Sequence, residues 1–139
     1  MLVASLMNPN VLTVTPETSA LHAVRLLAHY DIGALPVVGA NGELCGIVTD
    51  RDILMRSVAG ETPVTAISVG EVMTRTVITV PPDADVREAA AVMAAYRVRR
   101  LPVAKARRPV GVITLADLAR AHSCDMEASL ALSKISAPK

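Results

Sequence analysis

Two Thr-x-x-Asp pairs are the residues of this sequence best suited to chemistry, and each pair follows an apolar run. They are Thr49 with Asp52, and Thr114 with Asp117. At a helix start such a pair forms a capping box, in which the hydroxyl and the carboxylate each accept a backbone N–H. The N–H groups there also attract phosphate, and a carboxylate one turn in can accept two ribose hydroxyls. The pattern predicts two helix caps that are also two candidate ligand contacts.

The two pairs belong to one longer pattern that is written twice, about 66 residues apart. The segment 11–14 overlies 77–80, and a glycine stands three residues before each threonine, at Gly46 and Gly111. Glycine at these points permits close approach of backbone or ligand. The shared order and spacing indicate an internal duplication.

Each copy is predicted to form a strand, a helix, two strands and a second helix. The strands are β-branched runs, the helices carry apolar residues at helical spacing, and Asn41-Gly42 is a strong tight-turn signal. The first copy gives strand 11–14, helix 19–30, strands 34–38 and 45–49, and helix 50–57. The second gives strand 77–80, helix 85–96, strands 100–104 and 110–114, and helix 115–122.

This order predicts an α/β (α+β) fold built from two βαββα repeats. A three-stranded sheet covered on one side is not expected to be stable alone, so the repeats should pair across a pseudo-twofold axis. We assign repeat 1 to residues 1–60, a linker to 61–68, repeat 2 to 69–124 and a tail to 125–139. Within the tail, Met126, Leu130 and Leu132 suggest a short amphipathic helix before Ala137-Pro138-Lys139 frays.

The composition argues against several classes of function. The chain of 139 residues has a net charge of +1 and neither Phe nor Trp, which disfavours nucleic-acid and anionic-membrane binding. No signal-like start or apolar run of membrane-spanning length is present, so a cytoplasmic location is expected. His22, His29 and His122 are the only histidines, and no nucleophile has an evident base, so neither a metal site nor independent catalysis is expected.

The repeated motifs resemble those of the CBS (cystathionine-β-synthase) domain. The residues that carry the likeness are Leu35-Pro36-Val37-Val38, Asn41-Gly42 and Gly46-Ile47-Val48-Thr49-Asp50-Arg51-Asp52, with their second-copy equivalents. Two such repeats form a Bateman module. Residues 31–36 with 49–53 are similar to small stand-alone bacterial CBS proteins, including the hypoxic-response type.

The resemblance implies a regulatory, non-catalytic module with no obligatory cofactor. Its ligand would be AMP, ADP, ATP or S-adenosylmethionine, bound in clefts between the repeats. Asp52 and Asp117 would hold ribose, and Thr49 and Thr114 the phosphate or its equivalent. Backbone groups of the first strands would meet the adenine edge, at Val11, Leu12, Val77 and Ile78. Residues of the second strands would form apolar walls, at Ala34 and Pro36 or at Arg100 and Pro102.

Arg99 and Arg100 replace Gly33 and Ala34 of the first copy, so the two sites should differ, and an anionic ligand should prefer the one that these cations face. A homodimer is expected, with the small side chains of 89–95 in the contact, and an effector protein is a further possible partner. A ligand-free dimerising module remains an alternative. Nucleic-acid binding is the weaker one and rests on a basic cluster: Arg97, Arg99, Arg100, Lys105, Arg107 and Arg108.

Overall fold

The computed structural model describes residues 1–121 and 125–136, with side chains at 1–121 and 130–136. The predictions for His122, the side chain of Met126 and residues 137–139 lie outside this range. The chain forms two compact units. Unit 1 contains Met1–Val11 and Ile78–Lys139, and unit 2 contains Leu12–Val77. The boundaries of these units differ from those of the predicted repeats, because Met1–Val11 belongs to the unit that contains most of the second repeat. The repeat boundaries therefore remain a prediction from the sequence pattern.

The described elements include the helix, strand pair and helix predicted for each copy, together with short helices that the repeat pattern did not predict. In chain order they are α1 (Val3–Leu6), α2 (Ala20–Tyr30), β1 (Ala34–Val38), β2 (Leu44–Thr49), α3 (Asp50–Val58), a 3₁₀ turn (Val64–Ala66), α4 (Val69–Val72), α5 (Val86–Tyr96), β3 (Arg100–Lys105), β4 (Arg108–Thr114), α6 (Leu115–Arg120) and α7 (Asp125–Ile135).

Unit 2 is built around the antiparallel hairpin of β1 and β2, in which Ala34 lies opposite Thr49. The predicted first strand, 11–14, is reduced to a single bridging residue. Val14 lies parallel to β1, donating to the Pro36 carbonyl at 3.1 Å and accepting from the Val38 N–H at 2.9 Å. Only this residue of the segment comes close enough to β1 to share its hydrogen bonds.

Unit 1 repeats this arrangement with the hairpin of β3 and β4, in which Arg100 lies opposite Thr114. Here the predicted strand 77–80 is also reduced to one residue, Val80, which forms a parallel bridge to Val103. Each unit is therefore a mixed helix-and-sheet structure around a small antiparallel sheet.

Alternation along the strands separates a core face from an outer face in each hairpin. Leu35, Val37 and Val48 are fully buried in unit 2, and Leu101, Val103 and Ile113 are at most 1% exposed in unit 1. Because successive strand residues point to opposite faces, Ala34, Pro36, Ile47 and Thr49 lie on the outer face of the unit 2 hairpin.

Gly46 and Gly111, which hold equivalent positions in the two repeats, allow another segment of the chain to lie directly on each hairpin. Thr74 and Ile47 exchange backbone hydrogen bonds at 2.8 and 2.9 Å, and a Cβ added to Gly46 would lie 2.6 Å from the sulfur of Met73. In unit 1, Asn8 pairs with Val112 in the same way, and Met7 lies against Gly111. The predicted close approach is confirmed, and its partner is backbone.

Local signals place the helix ends. Ser19 and Asp85, predicted as the first helical residues, are N-caps whose side chains accept from the N–H groups of His22 and Arg87. Gly42 has a φ of 80°, as the Asn-Gly turn requires. The matching turn of unit 1 places Ala106 and Arg107 at φ values of 51° and 64°.

Helix α7 packs against α5 and α6 in unit 1. The predicted helix is present, but Ala131 is 1% exposed whereas Leu130 and Leu132 are 58% and 45% exposed. The face that the sequence favoured for burial therefore points partly outwards. Since Leu130 and Ala131 lie beside Ala90 and Ala94, α7 covers part of the 89–95 surface expected to form a dimer contact.

Candidate functional site

The first candidate site is the start of α3 in unit 2, where the predicted capping box forms. The Thr49 hydroxyl accepts from the Asp52 N–H at 3.0 Å, and Asp52 Oδ2 accepts from the Thr49 N–H at 3.1 Å. Both residues are half-buried. This pair of hydrogen bonds fixes the Asp52 carboxylate in one orientation and uses only one of its oxygens. Asp52 Oδ1 accepts from no residue that the structure describes.

Three predicted site residues, Ala34, Pro36 and Thr49, lie on the outer face of the hairpin, next to the start of α3. Ala34 lies directly opposite Thr49, and Pro36 opposite Ile47. Directly opposed residues of an antiparallel pair share a face, and their Cβ atoms are typically about 4.5–5.5 Å apart. Pro36 is buried, and Ala34, Ile47 and Thr49 are half-buried. An aliphatic wall therefore extends from Thr49 along the sheet.

The second candidate site, at the start of α6 in unit 1, has the same backbone design. The Thr114 hydroxyl accepts from the Asp117 N–H at 3.1 Å, and Asp117 Oδ2 accepts from the Thr114 N–H at 2.9 Å. Arg100 lies opposite Thr114, and Pro102 opposite Val112. As in unit 2, the structure places the threonine, the aspartate and the strand residue opposite the threonine at one helix start; their roles as ligand contacts remain predictions.

One ion pair makes the two sites different. Arg120 binds Oδ1 of Asp117, so both oxygens of that carboxylate have partners. The position three residues after Asp52 holds Met55, which offers no charge. In unit 2, Oδ1 of Asp52 therefore has no described partner, whereas in unit 1 Oδ1 of Asp117 already accepts from Arg120, whose side chain is 70% exposed.

The basic residues of the second copy divide between the two ends of the unit 1 hairpin. Arg100 is half-buried beside Thr114, and the carbonyl of the exposed Arg99 accepts from the Leu115 N–H at 2.8 Å. Lys105 is the last residue of β3, and Arg107 lies in the turn beyond it. Arg100 and Lys105 are five residue steps apart along β3, about 17 Å at about 3.4 Å per residue. This separation weakens the case for a single nucleic-acid surface.

Comparison with known proteins identifies this architecture. The sequence model of the CBS domain matches residues 3–59 and 69–123. The chain belongs to the CBS domain family. The CBS domain-containing protein YhcV of Bacillus subtilis is 36% identical over 134 residues, which are 94% of this chain and 91% of YhcV.

Solved structures agree with this assignment. Hypoxic response protein I, crystallised with two coordinated zinc ions, is 33% identical with a TM-score of 0.79 over 86% of this chain and 98% of its own. The predicted likeness to the hypoxic-response type is thereby confirmed. The CBS domain pair of protein MJ0100, in complex with 5′-methylthioadenosine and S-adenosyl-L-methionine, is 31% identical with a TM-score of 0.76 over 86% of this chain and 98% of its own.

The first-segment residues of the two CBS repeats divide between the units. Leu12 packs against the core of unit 2 and Ile78 against that of unit 1, and Val11 and Val77 are half-buried. Val11 belongs to unit 1 and Val77 to unit 2. Their predicted backbone contacts with adenine remain predictions.

Two features of this CBS pair escaped the sequence reasoning. Ile47 and Val112 complete the outer faces, and strand alternation counted back from each threonine would have found them. Arg120 was also missed, although its spacing of three from Asp117 on one helix is a sufficient signal.

Among residues 1–121 and 130–136, no group of three or more His, Cys, Asp or Glu side chains is arranged to hold a metal ion. No helix in the described part of the chain is long and apolar enough to cross a membrane.

Proposed function

We propose that this CBS pair is a non-catalytic regulatory module that binds an adenosyl ligand, with Asp52 holding the ribose. The observation that carries the proposal is the state of the Asp52 carboxylate: one oxygen is fixed by the Thr49 N–H at 3.1 Å, and no described residue donates to the other. A half-buried carboxylate that is oriented in advance can bind a ligand hydroxyl without first losing its own freedom of rotation.

The outer face beside Asp52 suits an adenosine better than a larger polar ligand. Hydrogen bonds from ribose hydroxyls to a carboxylate are charge-assisted and stronger than neutral ones. The aliphatic wall of Ala34, Pro36 and Ile47 gives the flat faces of a purine dispersion contacts and removes them from water. The expected first-segment contact of Leu12 would add recognition of the adenine edge.

The ligands found in a related structure support this proposal. The MJ0100 pair binds 5′-methylthioadenosine and S-adenosyl-L-methionine, and adenosine with a sulfur substituent is common to both compounds. We propose a ligand of the wider class of adenosine derivatives. AMP, ADP and ATP belong to this class and carry phosphates in place of the sulfur substituent. A ligand that binds two arrangements of the module with different affinity would shift their populations, which is the basis of a regulatory effect on an effector protein.

In unit 1 we propose a site with a different preference. Arg100 lies beside Thr114 and adds a positive charge, so Thr114 and Arg100 suit a phosphate, with Arg99 nearby in the chain. Asp117 is engaged by Arg120, which weakens its use for ribose. This site should favour AMP or ATP over an uncharged adenosine. The Asp52 site should show a smaller difference in affinity between these phosphate-bearing ligands and adenosine.

Isothermal titration calorimetry tests the proposal with protein shown to be free of co-purified nucleotide. Adenosine, AMP, ATP and S-adenosylmethionine are the ligands, and GMP is the control because it keeps ribose and phosphate but changes the base. We expect at least one adenosyl compound to bind with a Kd of about 1–100 μM, and GMP at least tenfold more weakly. Absence of binding by all four adenosyl compounds, or equal binding of GMP, would refute adenosyl recognition.

A further inference from the structure

The tip of the β3–β4 hairpin carries a cluster of positive charge. Lys105 ends β3, Arg107 lies in the turn and Arg108 begins β4, and all three side chains are exposed. We call these three residues the basic tip. None of them forms an ion pair or a side-chain hydrogen bond with a residue that the structure describes. Their charges are therefore not neutralised within the described part of the chain.

Two of these cations face each other across the hairpin. Lys105 lies directly opposite Arg108 in the antiparallel register. Side chains at directly opposed positions share a face, with Cβ atoms typically about 4.5–5.5 Å apart, and like charges there are destabilising. The equivalent positions in the first repeat are Gly39 and Glu43, where the Gly39 N–H donates to the Glu43 carbonyl at 2.9 Å. The hairpin of the first repeat therefore has no such repulsion.

The backbone of the same turn is held in an unfavourable conformation. Ala106 and Arg107 have φ values of 51° and 64°, which Gly and Asn adopt most readily in a two-residue hairpin turn. Arg107 therefore stands where glycine would be more stable, and it adds a third charge beside the opposed pair. Proteins break local rules of this kind at functional sites. Strain and charge repulsion at one point indicate that the tip serves binding rather than stability.

We infer that the basic tip binds an acidic segment of a partner protein and recognises its carboxylates. A carboxylate placed between Lys105 and Arg108 would replace their repulsion with charge-assisted hydrogen bonds. The planar guanidinium of Arg107 can bind a second carboxylate through two N–H groups. The tip uses no residue of the two candidate ligand sites, so this inference holds or fails independently of adenosyl binding.

Long polyanions fit this chain less well than a short acidic segment does. A net charge of +1, from 14 basic and 13 acidic residues, provides no overall attraction to a nucleic acid or a membrane. Single-stranded nucleic acids stack on aromatic side chains, and the chain has neither Phe nor Trp. Stable attachment to a membrane needs an apolar anchor besides basic residues, and the remaining residue of the turn is Ala106. A short acidic segment needs only the local charge of the tip.

Fluorescence anisotropy with a labelled oligoglutamate peptide tests the inference, with oligoglutamine of the same length as the control probe. At about 0.01 M salt, where charges interact over about 30 Å, we expect oligoglutamate to bind with a Kd of about 100 μM or tighter. Oligoglutamine should bind at least tenfold more weakly. At about 0.15 M salt the affinity for oligoglutamate should fall at least threefold, because charges are then screened beyond about 8 Å.

Two variants separate a loss of binding from a loss of folding. Lys105→Glu places opposite charges across the hairpin, so it should unfold at a higher urea concentration than wild type and bind oligoglutamate at least tenfold more weakly. Arg107→Gly should also be more stable, because glycine accepts the positive φ, and should bind at least threefold more weakly. Arg25→Glu on the exposed surface of α2 is the matched control, with the same change of charge as Lys105→Glu, and should bind like wild type.

Amide chemical shifts locate the contact. Titration with oligoglutamate should shift the amides from Lys105 to Arg108 and leave those of Arg99 and Arg100 unchanged. Shifts centred on Arg99 and Arg100 would overturn the inference. So would absence of oligoglutamate binding, equal binding of oligoglutamine, unchanged affinity in Lys105→Glu, or an equal loss of affinity in Arg25→Glu. Tighter binding of duplex DNA, or of vesicles of phosphatidylserine and phosphatidylcholine, at the same concentration of negative charge would also refute an acidic protein segment as the partner.

Discussion

Arg120 forms an ion pair with Oδ1 of Asp117, and the equivalent residue in the first repeat, Met55, forms no such pair with Asp52. The two capping boxes are otherwise alike, with both pairs of backbone hydrogen bonds between 2.9 and 3.1 Å. The two repeats therefore share the geometry of the capping box and differ in whether Oδ1 of the aspartate has a described partner.

An arginine at position 55 should make the Asp52 carboxylate less available to a ligand. In Met55→Arg, an arginine stands three residues after Asp52, as Arg120 does after Asp117, and we expect adenosyl binding at Asp52 to weaken about tenfold, or about 1.4 kcal/mol. Stability should change by less than about 0.5 kcal/mol, because Met55 is 54% exposed. Calorimetric titration and urea unfolding measure the two quantities. Unchanged ligand affinity in Met55→Arg would contradict the assigned role of this pair.

Gly46 should tolerate no side chain. A Cβ there would lie 2.6 Å from the Met73 sulfur and 3.1 Å from the Thr74 carbonyl oxygen, so Gly46→Ala must displace the bridging segment. We expect a loss of about 1–3 kcal/mol in the free energy of unfolding, measured by urea denaturation. The control is Gly39→Ala, whose Cβ would meet nothing closer than 3.4 Å and should cost less than about 0.5 kcal/mol. Similar losses in both variants would show that the close packing on β2 contributes little.

Local sequence signals were sufficient for much of this structure. The Thr-x-x-Asp boxes formed as predicted because their hydrogen bonds join residues only three apart. The hairpin of unit 2 followed from Asn41-Gly42, since few other residues adopt a positive φ without strain.

Contacts between distant segments could not be predicted in this way. No local signal indicated that Met73 packs on Gly46, or that Val14 and Val80 alone would bridge their sheets. Helix α7 was predicted from its apolar residues, but Ala131 is buried while Leu130 is exposed; Ala90, Ala91 and Ala94 of α5 lie beside them and leave room for close approach. The ion pair of Arg120 with Asp117 is a different case: it joins residues only three apart and could have been predicted from the sequence, although the first repeat has Met55 at the equivalent position.

The turn between β3 and β4 is strained and should be improved by glycine. Ala106 and Arg107 both have positive φ, at 51° and 64°, a conformation that costs an L-residue about 1–2 kcal/mol. Gly42 fills the corresponding turn of the first copy. We expect Arg107→Gly to raise the free energy of unfolding by about 0.5–1 kcal/mol, after the greater freedom of glycine in the unfolded chain is subtracted.

Arg108→Gly is the matched control for this turn, because it removes the same charge from the next residue, in β4. It should lower stability, since glycine weakens a strand. Thermal and urea unfolding of the two variants distinguish the effects. A loss of stability in Arg107→Gly as well would show that the positive φ carries no recoverable strain.

Asp85 should make the stability of unit 1 depend on acid pH. The Arg87 N–H donates to Asp85 Oδ1 at 2.9 Å, and this hydrogen bond holds the pKa of the carboxyl below its ordinary value. The stabilisation is complete above the unfolded pKa of about 3.9 and is lost as pH falls through the lower folded pKa. Urea unfolding from pH 6 to about 3 should therefore show a smaller acid loss for Asp85→Asn than for wild type.

The cap of α2 provides the control for that experiment. Ser19 accepts from the His22 N–H at 3.1 Å with a hydroxyl that does not titrate in this range. Ser19→Ala should lower stability by a similar amount at every pH and leave the acid dependence of wild type. If Asp85→Asn kept the full acid loss of the wild type, the depressed pKa of Asp85 would have no effect on stability.

The most direct test of the account is calorimetric titration of Asp52→Asn and Asp117→Asn with adenosine, because the site in unit 1 is proposed to favour ligands that carry a phosphate. Asparagine keeps an oxygen for the capping hydrogen bond and removes the charge, so both variants should remain folded. We expect Asp52→Asn to weaken binding at least tenfold, or about 1.4 kcal/mol, and Asp117→Asn to change the same binding event less than threefold. Equal loss in both variants, or loss only in Asp117→Asn, would contradict the claim that the Asp52 carboxylate holds the ribose.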